Sequence, residues 1–307
     1  MKVTALAGGV GAARFLTGLN RTIREEDLTV IVNTGDDIEL FGLHISPDVD
    51  IVTYTLAGIV DEEKGWGIKN DTFCCLDMLK KYSATNTWFN IGDQDLATHI
   101  YRTHRLSQGA TLSEVTSEIS RSLGLKTKIL PMSNDHFQTH ITTPIGRMHF
   151  EEYLVKNQCR DEILSIEFDG AASAKPTPQV LDALIDAERI VICPSNPIVS
   201  IGTILAVDGI KDALRRTDAR VTAVSPIVTG MPLKGPADKM LQSLGVEVSA
   251  YGVAGLYADF LDVFVIDVKD VGEKMRIGKL GLDVSVTNTV MKSLEDKISL
   301  AEAVLIS

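Results

Sequence analysis

The sequence predicts an α/β fold: a Rossmann-like, mostly parallel sheet flanked by helices. Three observations carry that reading. The chain opens with an apolar run, Val3 to Ala7, that ends at a glycine turn and passes into a helical pattern. Two further apolar, β-rich runs, Leu28 to Val32 and Arg189 to Cys193, likewise end in small polar turns before helical stretches. Strands that are apolar throughout, rather than alternating, suit a parallel sheet covered on both faces.

In order along the chain, the first strand meets Gly8-Gly9-Val10-Gly11, with a helix expected from about Ala13 to Glu25. A strand, tight turn and helix start favour an anion, because the first helical N–H groups lack internal partners and the dipole is positive there. Gly8, Gly9, Val10, Gly11 and Arg14 are the candidate phosphate-binding residues. Arg14 occupies the third fingerprint position of a dinucleotide loop, and no Gly-Lys-Ser/Thr follows, so neither a nicotinamide fingerprint nor a Walker loop is complete. The second strand empties into Asn33-Thr34-Gly35-Asp36-Asp37, and Ser46-Pro47-Asp48-Val49-Asp50 follows before a helical pattern from Ile51 to Ala57. Carboxylates at such strand ends suit a hard divalent cation, although an Asx turn or a helix cap uses the same residues.

Gly58 to Asp71 reads as a glycine-bearing loop or lid, and Thr72 to Tyr82 as a helix. Trp88-Phe89-Asn90 then precedes a polar turn and a helix carrying His99, Arg102 and His104; the aromatics can stack a flat heterocycle or fill core. Thr111 and Glu114 match a capping box ahead of the stripe Leu112, Val115, Ile119 and Leu123. Residues 126–172 read as a small β-rich insertion, with Thr139 to Thr143, Met148 to Val155 and Ile163 to Phe168 as antiparallel strands. His136 and His140 lie outside a clear helix and make a poor metal motif. The α/β rhythm returns with Thr177 capping a helix from Pro178 to Ala187, a strand ending at Pro194-Ser195-Asn196-Pro197, and a strand from Val221 to Val228. Val246 to Val248, Val263 to Val268 and Val284 to Val286 are further strand candidates, and a helix near Leu300 closes the chain. One α/β domain over residues 1–307 is expected.

Composition narrows the function. A net charge of −11 with no basic tract argues against a nucleic-acid partner. No apolar stretch approaches the roughly eighteen residues of a membrane span, and the start does not read as a signal peptide, so a cytoplasmic protein is expected. Cys74, Cys75, Cys159 and Cys193 form no C-x-x-C pair and read as reduced thiols.

Taken together, Ala7-Gly8-Gly9-Val10-Gly11, Asn33 to Asp37, Pro47 to Asp50, Gly92 to His99, Pro194 to Pro197 and Leu233 to Asp238 resemble the 2-phospho-L-lactate transferase family. Six separated motifs occur in order; Ala12 departs from the pattern, where another glycine is expected. The resemblance implies a magnesium-dependent enzyme of coenzyme F-420 biosynthesis. It would move a phospholactyl or enolpyruvyl-phosphate group from a guanosine diphosphate-activated donor to the ribityl hydroxyl of the deazaflavin precursor Fo, releasing GMP. It also implies a homodimer. On this reading Asp36 and Asp50 are the catalytic, magnesium-holding pair, and Asp48, Asp50, Trp88, Phe89, Asn90 and His99 face the deazaflavin. Ser195 and Asn196 join the glycine loop on the nucleotide side. A nucleotide-sugar-binding regulator of the same superfamily, without turnover, and a nicotinamide-dependent oxidoreductase are the alternatives.

Overall fold

In the computed structural model, which describes residues 1–307, seven strands form one sheet. They are β1 (Val3–Ala7), β2 (Leu28–Val32), β3 (Lys128–Pro131), β4 (Arg189–Ile192), β5 (Arg220–Val224), β6 (Val263–Asp267) and β7 (Asp283–Thr287). Their spatial order is β7-β6-β5-β4-β1-β2-β3, and every neighbouring pair is parallel. The chain therefore builds outward on one side of β1, then crosses over and builds outward on the other. That reversal, between β1 and β4, is where parallel α/β sheets open a crevice beyond the strand C-termini. Register keeps the rim level: Ala7 pairs with Val32 and Leu6 with Ile192, so the turns after β1, β2 and β4 leave at one height.

Alternation along the strands fills two cores. Leu6, Ile31, Ile192 and Phe264 face one side; Ala5, Ala7, Val30, Val32 and Val191 face the other, beneath α1 (Gly9–Thr22) and the closing helix Leu294–Ile306. With both faces covered, the central strands β1 and β2 are mostly apolar and buried. The Thr111 capping box and the Thr177 cap are both present as the sequence suggests.

Several boundaries differ from the sequence reading. Helix α1 starts at Gly9 rather than near Ala13, so the glycines form its first turn instead of a loop before it. Helix α2 (Pro47–Leu56) starts at Pro47 and takes in Asp48 and Asp50, neither of which caps it. Lys128–Pro131, within the expected insertion, is the edge strand β3 of the main sheet. The antiparallel sheet comprises Gly146–His149, Gln138–Thr143 and Ser165–Asp169, with Gln138–Thr143 central. Met148 to Val155 is a strand only as far as His149. Beyond it the backbone turns helical, which buries Phe150 and Tyr153, three residues apart, against the core. Val246 to Val248 is no strand: the Val246 N–H returns to the Leu241 carbonyl to close one helix, and Ser249 caps the next.

No helix of the chain is long and apolar enough to cross a membrane.

Candidate active site

A cavity of about 870 Å³ opens at the crevice. The turns after β1, β2 and β4 line it, joined by α2, by α3 (Asp93–Ser107), and by the helical turn at Phe150. Of the residues singled out from sequence, Gly8, Gly9, Val10, Gly11, Arg14, Asp36, Asp48, Asp50, Phe89, Asn90, His99, Ser195 and Asn196 all line it. Trp88 does not. It packs edge-on against Phe89, at 5.7 Å between ring centroids, beside the small cluster of Ile38, Leu40, Ile45 and Ile91.

The glycine turn has two distinct tasks. Gly9 has φ +70°, a conformation that favours glycine, and its backbone N–H faces the Asp48 carboxylate. Gly11 allows close approach: a Cβ there would lie 2.3 Å from the Pro194 carbonyl oxygen. The α1 turn and the β4 turn, the two walls of the crevice, thus touch backbone to backbone. Gly11→Ala is expected to push them apart, costing about 1–3 kcal/mol. Chemical denaturation of the variant checks this.

Asn33 organises the acidic wall. Its amide nitrogen donates to Asp36 Oδ2 at 3.1 Å and to Asp48 Oδ2 at 2.9 Å, while its oxygen accepts from the Gly35 N–H and the Thr203 hydroxyl. One neutral side chain thereby holds two carboxylates together. Asp36 is only 3% exposed, and its second oxygen is buried without a hydrogen-bond partner. Burial, then the neighbouring Asp48, Glu151 and Asp37, push its carboxyl well above the ordinary range. Burial also lifts Asp48 to about 6, and burial with the nearby Asp48 lifts Glu151 to about 8. An orphaned carboxylate oxygen in a set of hard oxygen donors fits a divalent cation such as magnesium.

Asp50 is bound by a cationic side chain of the protein itself. The Arg102 guanidinium grips both its oxygens, one at 3.1 Å, and Arg102 is 1% exposed. Around this pair, Arg102 meets His99 Nδ1 at 3.2 Å, His99 Nε2 lies 3.4 Å from Asp95, and the Tyr54 hydroxyl donates to Asp95 at 2.8 Å. Asp50, Asp95 and His99 bring donor atoms within 4.8 Å of one another, a metal-like spacing. The guanidinium supplies positive charge there, whereas it is Asp48 that shares the Asn33 amide with Asp36. Burial alone would raise the Asp95 carboxyl, yet the hydrogen bonds from His99 and Tyr54 and the charges of His99 and Arg102 hold it below its ordinary value.

On the β4 side, Ser195 Oγ accepts from the Gly8 N–H at 3.4 Å. The Asn196 side-chain oxygen accepts from the N–H groups of Ile198 and Val199, so that side chain shapes the turn that the cavity sees. Sequence reasoning missed Glu151, which lay in a presumed strand and gave no signal. It noted Arg102 only as a helix residue, although its position three after His99 puts both on one face.

The raised carboxyls imply a pH dependence. In the folded chain Glu151 keeps its proton up to about pH 8 and Asp48 up to about 6, whereas the unfolded chain releases them near 4.5 and 3.8. Above the unfolded values the native state binds more protons, so cation-free protein should lose stability as pH rises through these windows. The slope is up to about 1.4 kcal/mol per pH unit for each group. Denaturation in chelator at pH 5, 6.5 and 8 checks the sign; stability that rises over this range contradicts it.

The family model described as 2-phospho-L-lactate transferase CofD matches residues 3–290. The chain is 42% identical to the phosphoenolpyruvate transferase of Streptomyces griseus, covering 99% of this chain and 98% of that protein. It is 40% identical to the 2-phospho-L-lactate transferase of Methanosarcina mazei, covering 97% and 98%. Among solved structures, a UPF0052-family protein from Bacillus halodurans superposes with a TM-score of 0.64 at 19% identity, over 99% of this chain and 98% of that one. This last likeness is one of fold.

Proposed function

The chain belongs to the 2-phospho-L-lactate transferase family, and from that premise we propose that it transfers a phosphorylated three-carbon acid from a guanosine diphosphate-linked donor to the ribityl hydroxyl of the deazaflavin precursor Fo, releasing GMP. The observation that carries this reading is the Asp36–Asn33–Asp48 arrangement facing the start of α1 inside one large cavity. Relatives named for phospholactate and for phosphoenolpyruvate match at 40% and 42%, so either acid suits the donor.

Asp36 and Asp48 would hold magnesium, which neutralises charge on a diphosphate and on the phosphoryl oxygens of the transition state. The N–H groups of Val10 and Gly11, at the positive end of α1, bind phosphate oxygens. The β4 turn at Ser195 and Asn196 takes the nucleoside side, while Phe89, Asn90 and His99 line the acceptor side. Asp50, fixed by Arg102, orients the acceptor hydroxyl. A carboxylate has about four lone-pair sites, so the guanidinium leaves room for one hydroxyl donor. The walls thus bring nucleophile and phosphorus together, which is where most of the rate gain in phosphoryl transfer arises.

Incubation with Fo and the guanosine diphosphate-linked donor tests the reading. Mass spectrometry should find the phosphodiester of Fo, with GMP released only when Fo is present. Tight nucleotide binding without GMP release would favour the non-catalytic regulator instead.

A further inference from the structure

The cavity has an acidic wall, already described, and a basic rim that the mechanism leaves unused. Three Lys or Arg side chains line the cavity: Arg14, Lys234 and Lys292. Lys292 forms no ion pair through its ammonium, but the Asp296 carboxylate, which accepts from the Lys292 backbone N–H at 3.0 Å, lies close enough to feel its charge. Arg14 and Lys234 make no hydrogen bond or ion pair with any protein group, although they come from separate elements, α1 and the turn before Ala237–Ser243. Lys234 reaches the cavity alongside the Gly65-Trp66-Gly67 turn: a Cβ on Gly65 would lie 3.0 Å from its Nζ. Burial, then the charge of Arg14, lowers the Lys234 ammonium from its ordinary value, as expected for paired cations lacking a counter-ion.

We propose that Arg14 and Lys234 together form the subsite for the carboxylate of the transferred three-carbon acid, an inference that rests on the transferase reading above. Charge matching carries it. The diphosphate is met by the α1 amides and by the cation that suits Asp36 and Asp48. The remaining anionic group of such a donor is its carboxylate, and the remaining uncompensated cations of the cavity are Arg14 and Lys234. A guanidinium and an ammonium on opposing elements can each donate to one carboxylate, giving charge-assisted bonds.

Calorimetric titration with three ligands tests the subsite without requiring turnover: 2-phospho-L-lactate, isopropyl phosphate (the same phosphate with a methyl in place of the carboxylate), and GDP. Wild-type protein should prefer 2-phospho-L-lactate over isopropyl phosphate by about tenfold or more. Arg14→Gln and Lys234→Gln should each erase most of that preference, and GDP affinity should stay within about twofold in Lys234→Gln. Both side chains are exposed and unpaired, so neither variant should unfold. Parallel weakening of both phosphates would assign the pair to phosphate and overturn the proposal. A preference that survives in both variants, or is absent from wild type, would also overturn it. Failure of wild type to bind GDP would count against the transferase reading, while the carboxylate preference would still decide the subsite.

Discussion

Asp48→Asn is expected to lose turnover by about 10²–10³-fold while gaining stability at pH 8. The two effects have one origin. Asp48 is buried beside Asp36 and Glu151, with a carboxyl lifted to about 6, so its ionised form is unfavourable when no cation is bound. An amide of the same shape removes that repulsion, and its oxygen can still accept from the Asn33 amide, which now lies 2.9 Å from Asp48 Oδ2. What it cannot do is supply a charged ligand opposite a diphosphate. Asp36→Asn should behave alike, because its orphaned oxygen is the feature that a cation would satisfy. Steady-state kinetics with Fo, together with denaturation at pH 6 and pH 8, separates the two readouts. Loss of both activity and stability would make the acidic wall a structural element instead.

Arg102→Met carries the second large effect, of the opposite kind. Arg102 is the largest fully buried side chain of the protein and is bound to Asp50, itself 5% exposed. Removing the guanidinium leaves a buried carboxylate without a counter-charge, which typically costs about 3–5 kcal/mol. Combining it with Asp50→Asn should recover much of the loss, because the stranded charge then disappears. Activity should not return with it, since Asp50 faces the acceptor hydroxyl on the proposed mechanism. Urea denaturation of the two single variants and the double variant measures the coupling. Independent, additive losses would contradict a charge network centred on this pair.

Much of this arrangement was legible in the sequence, for a definite reason. A buried parallel strand has a strong signature, and the rim of such a sheet is made by whatever follows each strand. Gly8 to Gly11, Asp36 and Pro194 to Asn196 could therefore be expected at one crevice without coordinates, and all of them line it. What the pattern could not reveal was which carboxylate faces which partner. Asp48 and Asp50 are two apart on α2, so they point about 200° apart around the helix: Asp48 toward Asn33, Asp50 toward Arg102. Choosing between them needs the position of α3, and that is set by tertiary packing. Glu151 was hidden for a similar reason, because a strand-like run turns helical just where it meets the core. Trp88, expected beside the acceptor, fills a small apolar cluster, while its neighbour Phe89 reaches the cavity.

The most direct test is electron paramagnetic resonance of Mn2+, substituted for magnesium, bound together with GDP. The account predicts a bound Mn2+ signal with phosphorus coupling in the wild-type protein, lost in Asp36→Asn and in Asp48→Asn but retained in Asp50→Asn. Loss in Asp50→Asn with retention in Asp48→Asn would place the cation on the other carboxylate and contradict the site described above.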